Sequence, residues 1–164
     1  MALRSPSLRG GSSGLLVCLA VLAWPQPSRA EVLYRLNTRC SVNGAAPVAC
    51  TVEASNENQV TLYRHEIGAQ RITVRISDGP VRMDRWDSQG KRWQSLRTAA
   101  ARFSTNTVCF NDRELCVVNP NYLNSVVQDN PNSMAQRDLV KVHFGSDGRI
   151  NASCYDDGCE VTLK

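Results

Sequence analysis

Two tryptophans surrounded by basic side chains are the part of this sequence with the clearest potential for recognition chemistry. In the stretch VRMDRWDSQGKRWQSL, a turn at Gln89-Gly90 places Trp86 opposite Trp93 on the polar side of a hairpin. Indoles beside cations can stack on flat rings and attract anions. The candidate binding residues are Trp86, Trp93, Arg82, Arg85, Arg92 and Arg97. A structural interpretation stays open, because cross-strand tryptophan pairs stabilise hairpins without any ligand.

Catalysis by a histidine base has two candidates, His65 and His143. Nucleophilic catalysis requires a nucleophile, a base and a group that orients the base. Strand alternation predicts that His65 faces the core and that His143 faces outward, so we expect no catalytic residue. A secreted hydrolase that uses His65 or His143 with a carboxylate is the alternative, and it requires a different strand register.

Six of the seven cysteines follow the apolar N-terminal segment, and an even number behind an export signal predicts three disulfides. Other pairings are possible in principle, but each neighbouring pair encloses a short turn, which favours bridges across hairpins. The predicted bridges are Cys40–Cys50, Cys109–Cys116 and Cys154–Cys159. The chain has no C-x-x-C spacing, and bridged cysteines offer no thiolate, so we expect no metal and no cofactor.

Residues 1–30 have the three-part layout of a cleaved secretory signal peptide. A basic start precedes the apolar run LLVCLAVLAW, and the small residues Ser28 and Ala30 suit the cleavage site. The apolar run is too short to span a bilayer, so no integral membrane segment is expected after cleavage. We therefore expect a secreted or periplasmic protein in which residues 31–164 form a single β domain.

The charge of this domain is nearly balanced overall but unevenly distributed. Three of the 19 basic residues precede residue 31 and none of the 15 acidic residues does, which leaves 16 minus 15, or +1. Residues 64–102 contain nine basic and four acidic side chains, whereas residues 103–164 contain five basic and eight acidic ones. In an exported protein, the basic segment predicts an envelope glycan, polymer or protein as the partner, and no nucleic acid.

Alternation with a period of two residues over most of the chain predicts antiparallel strands joined by hairpins. A turn at Gly68-Ala69 sets Glu66 opposite Arg71 and His65 opposite Ile72. The Trp hairpin is predicted to continue outward through Met83 opposite Leu96 to Val81 opposite Thr98. Shorter strands are predicted at residues 32–39, 48–54, 101–110, 115–118 and 160–163.

A third hairpin is predicted around a three-residue turn at Ser146-Asp147-Gly148, with glycine in the left-handed position. The inward-facing pairs that this turn predicts are Phe144–Ile150, Val142–Ala152 and Val140–Cys154. His143 and Asn151 are then expected to face outward.

One short helix is predicted near residues 120–128. Asn119 suits the N-cap and Pro120 suits the first helical position. The apolar residues that recur at helical spacing are Tyr122, Leu123, Val126 and Val127. Together these elements predict an all-β, mainly antiparallel fold, either a small disulfide-bonded β-barrel or a sandwich built on a meander.

The export signal and the run from RHEIG through VCFN and NPNYLNS to SCYDDGC resemble small secreted proteins of cyanobacteria. This resemblance implies an envelope or extracellular location and transfers no functional residue. The leading hypothesis from the sequence is a non-enzymatic, exported β domain that binds an envelope or extracellular partner through the basic Trp hairpin. Besides the hydrolase, a structural envelope protein is the remaining alternative.

Overall fold

The computed structural model describes residues 30–129, 131–132 and 135–161, with the backbone alone for residues 160 and 161. The predicted signal peptide lies outside the described residues apart from Ala30. The strands are β1 (Glu31–Val42), β2 (Val48–Glu57), β3 (Val60–Ile67), β4 (Gln70–Asp78), β5 (Val81–Asp87), β6 (Arg92–Ser95), β7 (Thr98–Arg102), β8 (Thr107–Phe110), β9 (Leu115–Val118), β10 (Leu139–Phe144) and β11 (Ile150–Tyr155). The helices are α1 (Pro120–Asp129) and α2 (Asp157–Val161).

These strands form one antiparallel sheet that curls into a half-barrel. The strand order is β11-β10-β7-β8-β9-β1-β2-β3-β4-β5-β6, so most neighbours in the sheet are also neighbours in sequence. The fold confirms the predicted all-β, mainly antiparallel class with a short helix. The inner face of the sheet carries Val52, His65 and Val74 and is packed into the core, and we call the opposite side the outer face.

The β3–β4 hairpin has the predicted register, with Glu66 opposite Arg71 and His65 opposite Ile72. Arg71 donates a hydrogen bond to Glu66 at 2.7 Å on the exposed side, whereas His65 is buried. A slip by one residue would exchange the two faces of each strand. The apolar alternation and the opposite-charge pair therefore select the same register.

The β5–β6 hairpin also follows the prediction near its turn, where Trp86 pairs with Trp93. The predicted extension to Val81 opposite Thr98 is wrong. After the Leu96 N–H donates to the Met83 carbonyl, the chain turns away from β5. Thr98 opens β7 and lies opposite His143 of β10. Because consecutive strands change partners at this bend, the sheet turns a corner there.

The β10–β11 hairpin has the predicted turn, with Gly148 at a φ of +76° and Phe144 opposite Ile150. An extra residue, Asn151, interrupts the register between this pair and the next. The predicted pairs that this bulge makes wrong are Val142–Ala152 and Val140–Cys154. The observed pairs are His143–Ala152, Val142–Ser153 and Lys141–Cys154. Simple alternation cannot reveal a bulge, because the inserted residue shifts one strand relative to its partner.

Residues on both faces of β10 are enclosed. Phe144 is buried as predicted, but Lys141 is buried as well, with only 6% of its surface exposed. His143 lies on the face of β10 opposite Phe144, as predicted, but it is half-buried there. Its Nε2 atom is enclosed and has no hydrogen-bond partner within the described part of the chain.

Helix α1 forms where the sequence predicts it and ends one residue later. Asn119 caps it, because its side-chain oxygen accepts a hydrogen bond from the Tyr122 N–H at 3.1 Å. The amide of Asn119 also donates to the Tyr34 hydroxyl at 2.9 Å, which ties the helix start to β1. Leu123 is buried, and Tyr122 meets Tyr63 edge to face with ring centroids 5.7 Å apart. The helix therefore closes part of the inner face.

Two of the predicted shorter strands differ from the structure. The segment predicted as one strand at 101–110 is divided by a turn into β7 and β8. The strand predicted at 160–163 is wrong where it is described, since α2 occupies residues 157–161, and residues 162 and 163 lie outside the described residues.

The three predicted disulfides are present. Cys109 and Cys116 lie directly opposite each other in the β8–β9 hairpin. The other two bridges join β1 to β2 through Cys40–Cys50 and β11 to α2 through Cys154–Cys159. In the chain-entropy account each short loop of this kind contributes roughly 2–3 kcal/mol. The bridges therefore constrain the β1–β2 and β8–β9 hairpins and the connection from β11 to α2.

Candidate functional site

The candidate site is an aromatic surface on the outer face of the β5–β6 hairpin, and we call Trp86, Trp93, Arg75, Asp84 and Ser95 the Trp ledge. The two indole rings meet edge to face, with centroids 5.3 Å apart and planes at 65°. Trp86 is 39% exposed, whereas Trp93 is half-buried. The Arg75 guanidinium lies over the Trp93 ring, 4.4 Å from its centroid. One ring is thus covered by a cation while the other is open to solvent.

Asp84 holds the polar side of the ledge together. Its Oδ2 accepts a hydrogen bond from Arg75 Nε at 2.8 Å, and its Oδ1 accepts one from the Ser95 hydroxyl at 2.9 Å. These three residues lie side by side on β4, β5 and β6. A carboxylate has about four acceptor positions, so Asp84 retains capacity for further donors. Both the aromatic and the polar groups of the ledge are fixed in place before any ligand arrives.

The structure separates the predicted arginines. Arg82 shares the outer face with Trp86 by alternation along β5, and its aliphatic part lies beside Gly148 of the β10–β11 turn. Arg85 and Arg92 lie on the inner side of the same strands, and Arg85 forms an ion pair with Glu114. Arg97 stands at the bend before β7. Closeness in sequence therefore overstated how many cations surround the tryptophans.

Arg75 is the ledge residue that the sequence analysis missed. It belongs to the preceding hairpin, and only the β4–β5 pairing places it opposite Asp84. A signal was present in the sequence, because continuing the meander from β4 to β5 pairs these opposite charges. The cation that contacts the aromatic pair thus comes from a neighbouring strand.

The turn of the hairpin is fixed by Asp87. Its Oδ1 accepts hydrogen bonds from the N–H groups of Gln89 and Gly90 at 3.0 and 3.1 Å. The Gly90 N–H, first among several contributions, holds the pKa of the Asp87 carboxyl below its usual value. Gln94 donates to the other carboxylate oxygen at 2.8 Å. These bonds order the loop that joins the two tryptophan-bearing strands.

The two histidines differ in their surroundings, since His65 is enclosed in the core and His143 is half-buried on β10. His65 is 1% exposed, with Nδ1 3.1 Å from the Ile72 carbonyl oxygen and its ring near Phe110. Burial lowers the pKa of His65 to about 4. No ion pair joins His65 or His143 to a carboxylate among the residues that the structure describes. A solute could reach the His65 imidazole only if the core opened.

A second charged feature lies near the β6–β7 bend. The buried Lys141 ammonium contacts Asp112 Oδ1 at 2.5 Å, and Asp112 is itself more than half exposed. This contact lowers the pKa of the Asp112 carboxyl. The Thr98 hydroxyl oxygen accepts a hydrogen bond from the Asp112 N–H at 2.8 Å, which helps to position Asp112 beside Lys141. The Asp112 carboxylate thus compensates the charge of the enclosed Lys141 ammonium.

Within the described ranges, no group of three or more His, Cys, Asp or Glu residues is arranged to hold a metal ion. The described helices are too short and too polar to cross a membrane.

The fold and the three bridges define a stable β domain of the extracellular type. Three disulfides fit an oxidising extracellular or periplasmic location. Comparison of the chain with family models, curated proteins and solved structures found no match. The function therefore has to be inferred from the geometry of the site itself.

Proposed function

We propose that this protein is an exported, non-enzymatic β domain that binds a glycan through the Trp ledge. The observation that carries the proposal is the exposed indole of Trp86 on a hairpin whose other parts are hydrogen-bonded in place. Tryptophan is enriched at binding interfaces, because its ring combines a large apolar surface with a polar N–H group.

The chemistry of the ledge fits a sugar ring. A pyranose presents a flat C–H face that can lie on an indole, and its rim carries hydroxyl groups that need hydrogen-bond partners. Trp86 offers the flat apolar surface, and the plane of the Trp93 ring lies at 65° to the plane of the Trp86 ring. Asp84 and Ser95 lie on the same face, in the strands that carry the two indoles, and can pair with hydroxyl groups.

Rigidity supports the same conclusion. Arg75 stacks on Trp93 and is bonded to Asp84, so these side chains lose little further freedom on binding. Binding is tighter when the ordering cost has been met before the ligand arrives. The β4–β5–β6 platform is therefore suited to a ligand that is recognised by shape and hydrogen bonds.

A titration of intrinsic fluorescence tests the proposal directly. The protein is purified from an exporting host and its N-terminus is determined, which also tests cleavage after Ala30. Apart from Trp24 in the predicted signal peptide, the chain has two tryptophans, both in the ledge, so emission from the cleaved protein reports on this surface. Neutral oligosaccharides of β-1,4-glucose, N-acetylglucosamine and α-1,4-glucose serve as probes.

We expect at least one of these oligosaccharides to give a saturable shift in emission and to protect Trp86 from quenching by iodide. A glycan series that leaves both emission and quenching unchanged would contradict the proposal. Retention of residues 1–30 in the exported material would contradict cleavage after Ala30 and would leave the glycan proposal unaffected.

A further inference from the structure

A separate groove lies on the outer face where β1, β9, β8 and β7 run side by side. It has a volume of about 380 Å³. Three arginines stand around it, Arg39 on β1, Arg102 at the end of β7 and Arg113 in the β8–β9 turn. We call this feature the arginine groove. None of these residues belongs to the Trp ledge, so the groove and the ledge can be tested independently.

The floor of the arginine groove is built from short side chains. The sheet register places Ser41, Cys116, Cys109 and Ala100 in one row across the four strands. The next row contains Val118, Thr107 and Arg102, and Arg39 lies beside Val118 at its other end. The Cys109–Cys116 bridge lies in this floor and keeps it flat and rigid. The arginine side chains thus stand around a surface of short side chains, among which Ser41 and Thr107 supply hydroxyl groups.

The charge of the groove is positive after its internal pairs are removed. Arg102 donates to Asp138 at 2.8 Å, and Asp112 is paired with Lys141. Arg39 donates one hydrogen bond, to the Pro47 carbonyl at 3.0 Å. The Arg113 guanidinium packs beside Gly44 and has no hydrogen bond or ion pair within the residues described. Arg39 and Arg113 are therefore two cations without a carboxylate partner in this part of the structure.

The spacing of the arginines selects an extended ligand. Arg39 and Arg102 stand at the two ends of a row that crosses three strand spacings, which corresponds to about 14 Å between their backbones. A single small anion bound at Arg39 leaves the Arg102 end of this row uncovered. A chain that repeats an anionic group can contact both sides at once, and guanidinium groups recognise carboxylates through two parallel hydrogen bonds.

The pairing of the strands argues against an extended peptide as that chain. Peptides commonly bind sheets by adding a strand to a free edge, where their main chain finds partners. Beneath the groove, β7, β8 and β9 are each paired on both sides. Recognition must then come from side chains, and Ser41 and Thr107 supply hydroxyl partners for a hydroxylated ligand.

From these observations we infer that the arginine groove binds an acidic polysaccharide, a polymer of uronic acid type whose carboxylates pair with Arg39 and Arg113. The test uses galacturonate oligomers of defined length and galacturonic acid monomer, measured by calorimetry on the exported protein. Oligomers are expected to bind at least tenfold more tightly than the monomer, because only an oligomer extends over the whole row from Arg39 to Arg102, and equal affinities would overturn the choice of an extended ligand. Affinity is expected to fall as NaCl is raised.

Charge-matched variants identify the site. Arg39→Gln/Arg113→Gln should weaken oligomer binding at least tenfold, whereas Arg71→Gln/Arg149→Gln, which removes two exposed arginines elsewhere, should change it by less than threefold. Trp86→Ala should leave this binding unchanged, so a failure here is distinct from a failure at the Trp ledge. Equal weakening in both double variants, or absence of oligomer binding, would overturn the inference. Binding of polyglutamate as tight as that of the oligomer would overturn the polysaccharide assignment.

Discussion

Trp86 and Trp93 meet edge to face, and the Arg75 guanidinium covers only Trp93. Because of this asymmetry, the two tryptophans have different roles. Trp93 is held between an arginine and its neighbouring indole and stiffens the hairpin, while Trp86 keeps an open surface. The structural and the binding interpretations of the pair therefore apply to different rings.

The coupling between the two indoles can be measured. We expect the double-mutant cycle of Trp86→Leu and Trp93→Leu to give a coupling of about 0.5–1.5 kcal/mol in the free energy of unfolding, the range for aromatic pairs. Urea denaturation of the two single variants and the double variant measures it. Additive losses would mean that the rings do not stabilise each other.

The stability of the protein should depend on pH through His65. Its folded pKa of about 4 lies below the ordinary value near 6.5, so the unfolded chain takes up the proton first as the pH falls. The contribution of His65 to the free energy of unfolding is therefore fully present above the unfolded pKa and is lost as the pH falls towards 4. At pH 5 we expect the free energy of unfolding to be about 2 kcal/mol lower than at pH 8.

Urea denaturation between pH 4.5 and 8 tests the His65 prediction, with disulfides kept intact. In the His65→Leu variant, the free energy of unfolding should depend less on pH between pH 5 and 7. The carboxyl groups with lowered pKa values, such as Asp87 and Asp138, contribute only at lower pH and should leave this window unaffected. A variant with an unchanged slope would assign the proton uptake to another group.

The buried Lys141 should make Asp112 important for stability. Asp112→Asn leaves an enclosed ammonium without its carboxylate, and we expect a loss of about 1–3 kcal/mol, reduced from the fully buried case because Asp112 is exposed. Lys141→Met removes the cation and should cost less than Asp112→Asn. Thermal and urea denaturation of both variants checks the order. A larger loss in Lys141→Met would show that the lysine is needed for packing rather than for its charge.

The cap of α1 offers a sharper stability test. Asn119→Ala should cost about 1–2 kcal/mol, because both the helix start and the Tyr34 hydroxyl lose a partner. Asn121→Ala changes the same residue type two positions later, on the exposed side of the helix, and should alter stability by less than about 0.5 kcal/mol. Similar losses in the two variants would indicate that the cap is not the source.

Local pairing explains how much of this fold was accessible from the sequence. Hairpins such as Glu66–Arg71 and Trp86–Trp93 join strands close in sequence, so alternation and charge pairing are enough to find their register. The Asn151 bulge and the bend before Thr98 escape such reasoning, because each breaks the period of two at a single point.

The candidate sites were harder to predict for a related reason. Arg75 joins the Trp ledge from the previous hairpin, and the arginine groove exists only because β9 pairs with β1, far apart in sequence. No local pattern signals that pairing. The side of the strand also matters, since Arg85 and Arg92 are near the tryptophans in sequence but lie on the other face of the sheet.

The most direct test of the binding role is calorimetry with the oligosaccharide that gives the largest fluorescence response. We predict that Trp86→Ala weakens its binding at least tenfold while the thermal unfolding midpoint shows the domain still folded. Tyr155→Ala, which removes a comparably exposed aromatic ring outside the ledge, should retain the affinity of the unmodified protein. Full affinity in Trp86→Ala, or an equal loss in Tyr155→Ala, would contradict the assignment of the Trp ledge as the glycan-binding surface.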